Sequence, residues 1–193
     1  MLNKEPFRIA ISGRSGCGNS SVSTILSERL NLKLVNYTFH NIAEDKGIDF
    51  KELCQMAETD PKWDYFVDEN QVKLAMEGSS VLGSRLAIWM LKEADLKVFL
   101  TASPETRAGR IHKREGGVFE QRMVETAARD ERDHNRYKKL YDINNDDYAF
   151  ADLVINTDRL DQHQVAHIIE AAAKAMAAGP SGADNPSEFS KED

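Results

Sequence analysis

The first 30 residues constrain the fold most, because they combine a short apolar strand, a glycine-rich loop and an amphipathic helix. Residues 7–11 form an apolar run with β-branched side chains that stops at the glycines, a pattern typical of a buried strand. Beyond the loop, the apolar positions follow the i, i+3, i+4, i+8 spacing of an amphipathic helix, namely Val22, Ile25, Leu26 and Leu30. A strand that leads through a glycine loop into a helix favours an α/β fold.

The loop itself, G-R-S-G-C-G-N-S-S, has the spacing of the phosphate-binding motif G-x-x-x-x-G-K-[ST]. Its backbone N–H groups can surround a phosphate, and the helix that follows adds the positive end of its dipole. Asn19 replaces the lysine of the motif and brings a neutral donor, so we expect weaker or differently assisted triphosphate binding.

Ser20 is placed to bind Mg²⁺ through its hydroxyl. A glycine-rich turn without a ligand is the simpler alternative. The predicted phosphate site comprises Gly13, Arg14, Ser15, Gly16, Cys17, Gly18, Asn19, Ser20 and Ser21.

Strands and helices alternate along the rest of the chain. Further strands are predicted at residues 32–35, 80–82, 96–100 and 153–155. Helices are predicted within 38–78, at 86–92, from Ser103 to the break at Gly116 and Gly117, at 119–139 and at 161–178. This alternation predicts an α/β fold with a five-stranded, mainly parallel sheet.

Composition limits the classes of function. A chain of 193 residues is about one domain. Its net charge of -7 argues against a general nucleic-acid binder, and it has no apolar run near the roughly 18 residues that a membrane span needs. With no apolar signal-peptide core near the N-terminus and two isolated cysteines, we expect a cytoplasmic protein. Residues 1–178 are predicted to form the single domain, and the Pro-, Gly- and Ser-containing segment 179–193 a disordered tail.

Charged side chains downstream provide candidate phosphate clamps, which phosphoryl transfer needs to neutralise negative charge. Arg85 follows the third strand, at the edge where open α/β sheets bind ligands. Two further sets lie at helical spacing, and the first ends at the glycine break, where a flap could hinge: Arg107, Arg110 and Arg114, then Arg129, Asp133 and Arg136. For these two sets, an ordinary solvated helix face is the alternative.

This order of features resembles the cytidylate kinases, in the archaeal-type branch of the nucleoside-monophosphate kinases. The run at 129–136, R-D-E-R-D-H-N-R, matches the family pattern R-D-x-x-D-x-x-R. The segments R-Y-K-K-L-Y-D-I at 136–143 and D-L-V-I-N-T at 152–157 match the archaeal-type branch. The resemblance covers about residues 7–175. It implies a P-loop kinase three-layer sandwich with a helical insert for the monophosphate nucleotide at about 37–71 and a lid region at about 107–136.

The resemblance also implies a reaction and a set of roles. ATP would donate its γ-phosphoryl group to CMP or dCMP in the presence of Mg²⁺, with no covalent intermediate. The glycine loop would hold the ATP phosphates, with Ser20 beside the metal, and the lid would contribute Arg107 and Arg114. Arg85, Tyr37 and His40 would bind the acceptor, His40 standing where relatives carry arginine. Catalytic roles would fall to Arg110, Arg129, Asp133 and Arg136.

Other functions stay open at this point. Gly83 stands where relatives often carry an acidic residue, so the sequence names no carboxylate ligand for Mg²⁺. Together with Asn19 and His40, this departure leaves room for a nucleotide-binding sensor or scaffold with weakened catalysis. A kinase for a different small acceptor is the other alternative, because many acceptors share the fold. We expect small-molecule nucleotides as the only partners, with no nucleic acid and no membrane, and a monomer.

Overall fold

The computed structural model describes residues 2–179, and the segment predicted as a tail lies outside the described residues except for Gly179. Within this range a single sheet has five strands, β1 (Arg8–Gly13), β2 (Lys33–Val35), β3 (Ser80–Gly83), β4 (Leu96–Thr101) and β5 (Leu153–Asn156). The order across the sheet is β2-β3-β1-β4-β5. All four pairings are parallel, so the carboxyl ends of the strands meet at one edge.

Eight helices connect and cover these strands in the part of the chain that the structure describes. They are α1 (Asn19–Leu30), α2 (Phe39–Lys46), α3 (Phe50–Thr59), α4 (Lys62–Met76), α5 (Ala87–Met90), α6 (Pro104–Glu115), α7 (Phe119–Tyr141) and α8 (Gln162–Ala178). None of these helices has the length and apolar character needed to cross a membrane. The elements agree with those expected from the sequence, with ends displaced by a few residues.

The core forms on both faces of the sheet, because side chains alternate along each strand. On β1, Ile9 and Ile11 pack with Leu26 of α1 and Ile169 of α8. The intervening residue, Ala10, faces the opposite side, where the core includes Leu82 of β3, Phe99 of β4, Ile88 of α5 and Leu91, which directly follows α5. The result is a three-layer α/β sandwich, the expected fold class.

The insert between β2 and β3 has a small core of its own, centred on Ile42, Leu53 and Trp63. Its helices begin at well-defined caps. The Asp49 carboxylate accepts hydrogen bonds from two backbone N–H groups of the first turn of α3. Thr38 and Asn41 form a reciprocal capping box at the start of α2. Local capping and a separate apolar cluster therefore stabilise the insert itself.

Candidate active site

A cleft of about 1000 Å³ opens at the carboxyl edge of the sheet. Its walls come from the glycine loop after β1, from the ends of β2, β3 and β5, and from α4, α6 and α7. Most of the residues predicted for the site line this single cleft: Arg14, Ser15, Gly16, Cys17, Gly18, Asn19, Ser20, Ser21, Tyr37, Arg85, Arg110, Arg114, Arg129, Asp133 and Arg136. Gly13, Arg107 and His40 are not among its lining residues.

The glycine loop has the backbone geometry of an anion cradle. Gly16 and Gly18 have φ values of 86° and 106°, in the left-handed region that favours glycine. A Cβ at Gly16 would lie within 2.9 Å of the backbone of Arg107, so this glycine allows α6 to approach closely. The first turn of α1 begins at Asn19, and its N–H groups have no intrahelical acceptors. Loop and helix together can bind a polyphosphate.

Asn19 turns back onto the loop. Its Nδ2 donates a hydrogen bond to the carbonyl oxygen of Gly13 at 2.6 Å. Its Oδ1 is buried and has no hydrogen-bond partner among the described residues. The residue in the lysine position thus fixes the backbone of the cradle through a neutral hydrogen bond.

Two arginines of α6 support the cradle in different ways. Arg110 lines the cleft and donates through Nη2 to the carbonyl of Thr157 at 2.6 Å and through Nη1 to that of Gly16 at 3.3 Å. Arg107 is only 4% exposed and pairs with Asp130 of α7, with Nη2 and Oδ2 2.6 Å apart. Arg107 lies where α6 packs against the glycine loop, so its guanidinium is buried behind the cradle. The lid implied by the family resemblance would instead place this side chain over the ATP phosphates.

The opposite side of the cleft carries three arginines. Arg129 donates through Nη1 to Oγ of Ser15 at 3.3 Å, so α7 contacts the cradle directly. Arg85 pairs with Asp133, with Nη1 and Oδ2 3.0 Å apart. Burial raises the pKa of the Asp133 carboxyl, although Arg85 and Arg129 act in the opposite direction.

Arg136 meets a carboxylate of the insert. Its Nε donates to Oδ2 of Asp64 at 3.1 Å, and its Nη2 donates to Oδ1 of the same side chain. The guanidinium and the carboxylate therefore form a two-pronged pair between α7 and α4. Both side chains line the cleft.

The two insert residues predicted to bind the acceptor differ in position. Tyr37 lines the cleft, its hydroxyl donates to Asp45 at 2.7 Å, and its carbonyl accepts a hydrogen bond from Nε2 of Gln71 at 2.7 Å. His40 is exposed and stacks on Phe50, with ring centroids 3.7 Å apart. As the second residue of α2, His40 lies on the outer surface of the insert, so the structure does not bring it to the site.

A polar stripe on α4 was missed by the sequence analysis. Asp64, Asp68 and Gln71 occupy i, i+4 and i+7 of that helix and all line the cleft. Their i, i+4, i+7 spacing on one face of the predicted helix was a usable signal. Burial raises the pKa of Asp68 to about 6, with Asp64 adding to the effect, although the hydrogen bond from Tyr141 opposes it. Further lining residues outside the prediction include Ser84, Lys113, Tyr137, Thr157, Asp161 and His163.

The residues present fit a nucleoside triphosphate with its metal ion. At Gly13 and Gly16 a Cβ would collide with neighbouring backbone, so glycine is required for the loop to follow this tight path. Ser20 supplies a hydroxyl at the start of α1. Over residues 2–179, no group of three or more His, Cys, Asp or Glu side chains is arranged to hold a metal on its own.

Solved structures share this architecture at low sequence identity. The shikimate kinase from Bacteroides thetaiotaomicron superposes with a TM-score of 0.59 at 15% identity, over 88% of this chain and 98% of that one. The protein TT1252 from Thermus thermophilus gives a TM-score of 0.60 at 18% identity, over 88% and 98% of the two chains. These likenesses support the fold alone.

Sequence relatives are more specific. "Cytidylate kinase 2" of Borreliella afzelii (strain PKo) is 42% identical over 167 residues, which cover 84% of this chain and 94% of that protein. "Cytidylate kinase" of Methanothrix thermoacetophila is 41% identical over 170 residues, covering 87% and 98%. Residues 8–159 match the model of the cytidylate kinase-like family. On this match, and with the cradle and its facing arginines in one cleft, the chain belongs to the cytidylate kinase-like family.

Proposed function

We propose that this protein is a nucleoside-monophosphate kinase that transfers the γ-phosphoryl group of ATP to CMP. The observation that carries the proposal is that a polyphosphate cradle and the arginines of α7 share one cleft. Phosphoryl transfer requires this combination, because donor and acceptor phosphates repel each other until cations lie between them. Membership of the cytidylate kinase-like family favours CMP among the acceptors.

The donor lies on the side of the cradle. Backbone N–H groups of the loop and the first turn of α1 bind the ATP phosphates. Arg110 donates a hydrogen bond to the carbonyl oxygen of Gly16 and so holds this part of the loop in place. The hydroxyl of Ser20 is the protein ligand proposed for Mg²⁺. When bound, the metal neutralises charge on the phosphate oxygens. The Arg114 side chain is 64% exposed and pairs with its neighbour Glu115. We propose that it moves from this surface position to close over the donor.

The acceptor lies on the side of the insert. Arg85, at the end of β3, binds the phosphate of CMP, and Asp133 holds its guanidinium in place. Tyr37 and two residues of the polar stripe of α4, Asp68 and Gln71, surround the nucleoside. The buried Val67 supplies an apolar wall beside them. These groups bind and orient the acceptor, and no covalent step on the protein is needed.

The transferring group passes between the two sides. Arg129, which already contacts Ser15 of the cradle, and Arg136, on the face of α7 toward the insert, are the cations proposed to stabilise charge as the phosphoryl group moves. The acceptor phosphate is already ionised at neutral pH, so the chemistry depends on alignment and charge neutralisation.

Several finer properties belong to the same proposal. We propose dCMP as a second acceptor, Mg²⁺ as the metal, and a monomeric, cytoplasmic enzyme that does not bind nucleic acid. The net charge of -7 supports the last point. Light scattering after size-exclusion chromatography tests the monomer, and a mobility consistent with a dimer would contradict it.

The proposal is tested by a coupled assay of ADP release with ATP, Mg²⁺ and each of CMP, dCMP, UMP and AMP. We expect the highest kcat/KM with CMP. Absence of turnover on every pyrimidine monophosphate would remove the substrate assignment. Calorimetry on the same preparation separates the alternatives, because tight nucleotide binding without turnover would indicate a nucleotide sensor or scaffold instead.

A further inference from the structure

Among the described residues, three polar contacts join α4 of the insert to α7. Asp64 pairs with Arg136, the hydroxyl of Tyr65 donates to the carbonyl of Leu140 at 2.9 Å, and the hydroxyl of Tyr141 donates to Asp68 at 2.6 Å. Only the first of these contacts engages an arginine that lines the cleft. It therefore links the acceptor insert directly to a cation of the reaction site.

Asp64 stands on a firmly packed part of the insert. Its neighbour Trp63 and the residue one turn later, Val67, are buried in the apolar core of the insert, 7% and 8% exposed. The Asp64 side chain is 14% exposed, whereas that of Arg136 is 42% exposed. The carboxylate is thus the fixed partner, and the guanidinium is the partner that reaches into the cleft.

The pair uses one edge of the guanidinium and leaves another available. Asp64 engages Nε and Nη2 of Arg136. Among residues 2–179, no hydrogen-bond acceptor contacts Nη1. A guanidinium is planar and has five N–H donors, so Nη1 can bind a phosphoryl oxygen while Nε and Nη2 remain hydrogen-bonded to Asp64.

We infer that Asp64 is a positioning residue: from the insert, it fixes one edge of the Arg136 guanidinium so that the opposite edge meets the transferring phosphoryl group. The inference rests on the proposed function and extends it, because the insert then contributes to the chemical step as well as to acceptor binding. An arginine held by a planar, two-pronged partner loses less freedom when it binds the reacting group.

Charge gives this role a distinctive kinetic signature. Replacing Asp64 with Asn keeps the size of the side chain and removes a negative charge near the acceptor phosphate. Attraction of the dianionic acceptor is therefore preserved or increased, while alignment of Arg136 is lost. We expect kcat to fall about 10- to 100-fold, with KM for CMP unchanged or lower. A merely structural role would raise KM and lower the melting temperature instead.

The experiment is a double-mutant cycle on the full chain, with kcat and KM for CMP measured for the wild type, Asp64→Asn, Arg136→Ala and the double variant. If Asp64 acts through Arg136, adding Asp64→Asn to Arg136→Ala causes no further loss of kcat. Glu69→Gln is the matched control, because Glu69 is an exposed carboxylate on the same helix and does not line the cleft. This control should retain the kcat of the wild type.

Asp64→Glu is run beside Asp64→Asn, and it serves as the cycle partner if the amide variant does not fold. The Asp64→Glu variant keeps the negative charge but lengthens the side chain by one methylene. We therefore expect a smaller loss of kcat, and we expect this loss to disappear in the Arg136→Ala background. Additive losses in the cycle, or an undiminished kcat for Asp64→Asn, would overturn the inference while leaving the proposed function intact. A wild type without turnover on pyrimidine monophosphates would overturn the proposed function itself.

Discussion

Nη1 of Arg85 lies 3.0 Å from Oδ2 of Asp133, an ion pair that joins the end of β3 to the middle of α7. The Asp133 side chain is only 15% exposed, so its carboxylate depends on the arginine for compensation. The two residues are 48 positions apart in the sequence, and the parallel sheet brings them to the same wall of the cleft.

Replacing Arg85 with Ala should raise KM for CMP by roughly 100-fold, because two effects act in the same direction. The acceptor phosphate loses a cationic partner, and the unpaired Asp133 carboxylate repels it. Steady-state kinetics with varied CMP measure the change. Arg85→Lys keeps the charge without the planar fork, so its KM should fall between those of the wild type and the alanine variant. An unchanged KM in Arg85→Ala would place the acceptor phosphate elsewhere.

Replacing Asn19 with Lys should tighten ATP binding by about 3- to 10-fold at low salt. A lysine can still donate to the carbonyl of Gly13, removes the buried, unsatisfied Oδ1, and adds a charge near the triphosphate. Calorimetric titration with ATP in the absence of acceptor reports the affinity. Asn19→Ala is the comparison, since it only deletes the hydrogen bond and should weaken ATP binding. Weaker binding by the lysine variant would show that the loop requires the amide.

Replacing Gly16 with Ala should destabilise the protein by about 1–3 kcal/mol and abolish most ATP binding. The residue has a φ of 86°, and the added Cβ would meet the backbone of Arg107. Gly47→Ala is the matched control, because Gly47 also has a positive φ, 63°, but has open space around it and lies outside the cleft. Urea unfolding should show a smaller loss for the control, and its ATP affinity should stay at the wild-type value. Equal ATP affinities for both variants would contradict a cradle at Gly16.

Asp68 should make stability depend on pH in a defined window. Its pKa in the folded protein, about 6, lies above that of an unfolded chain, so the folded state binds this proton more tightly. The stabilising contribution is complete below about pH 4 and is lost as the pH rises through about 6. Asp68→Asn stays neutral throughout. It should therefore exceed the wild type in free energy of unfolding by about 1–2 kcal/mol at pH 7.5 and match it near pH 4. Urea unfolding at both pH values measures this, and a constant difference would contradict it.

The order of strands and helices was predictable because its signals are local. The periodicity from Val22 to Leu30, the helix start at Ser103 and the break at Gly116 each depend on neighbouring residues alone. The order β2-β3-β1-β4-β5 was not predicted, because pairing between distant strands leaves no mark within a short window. The cradle was likewise apparent from spacing, since its glycines and Ser20 lie in one continuous segment.

The rest of the site depends on contacts between distant segments. The burial of Arg107 follows from Asp130, which a different helix brings beside it, and helical spacing on α6 alone could not separate this arginine from Arg110. The exposed position of His40 follows from the way α2 packs on its own small core. The role of Asp64 is visible only with Arg136, 72 residues away in sequence.

Helix α7 contacts the cradle through Arg129, the end of β3 through Asp133 and the insert through Arg136. Any displacement of this helix by one nucleotide is therefore transmitted to the pocket of the other. Thermodynamic linkage makes that influence reciprocal: the factor by which ATP changes the dissociation constant of CMP equals the factor by which CMP changes that of ATP. We therefore expect ATP and CMP to change each other's affinity, because a single helix carries recognition groups for both nucleotides.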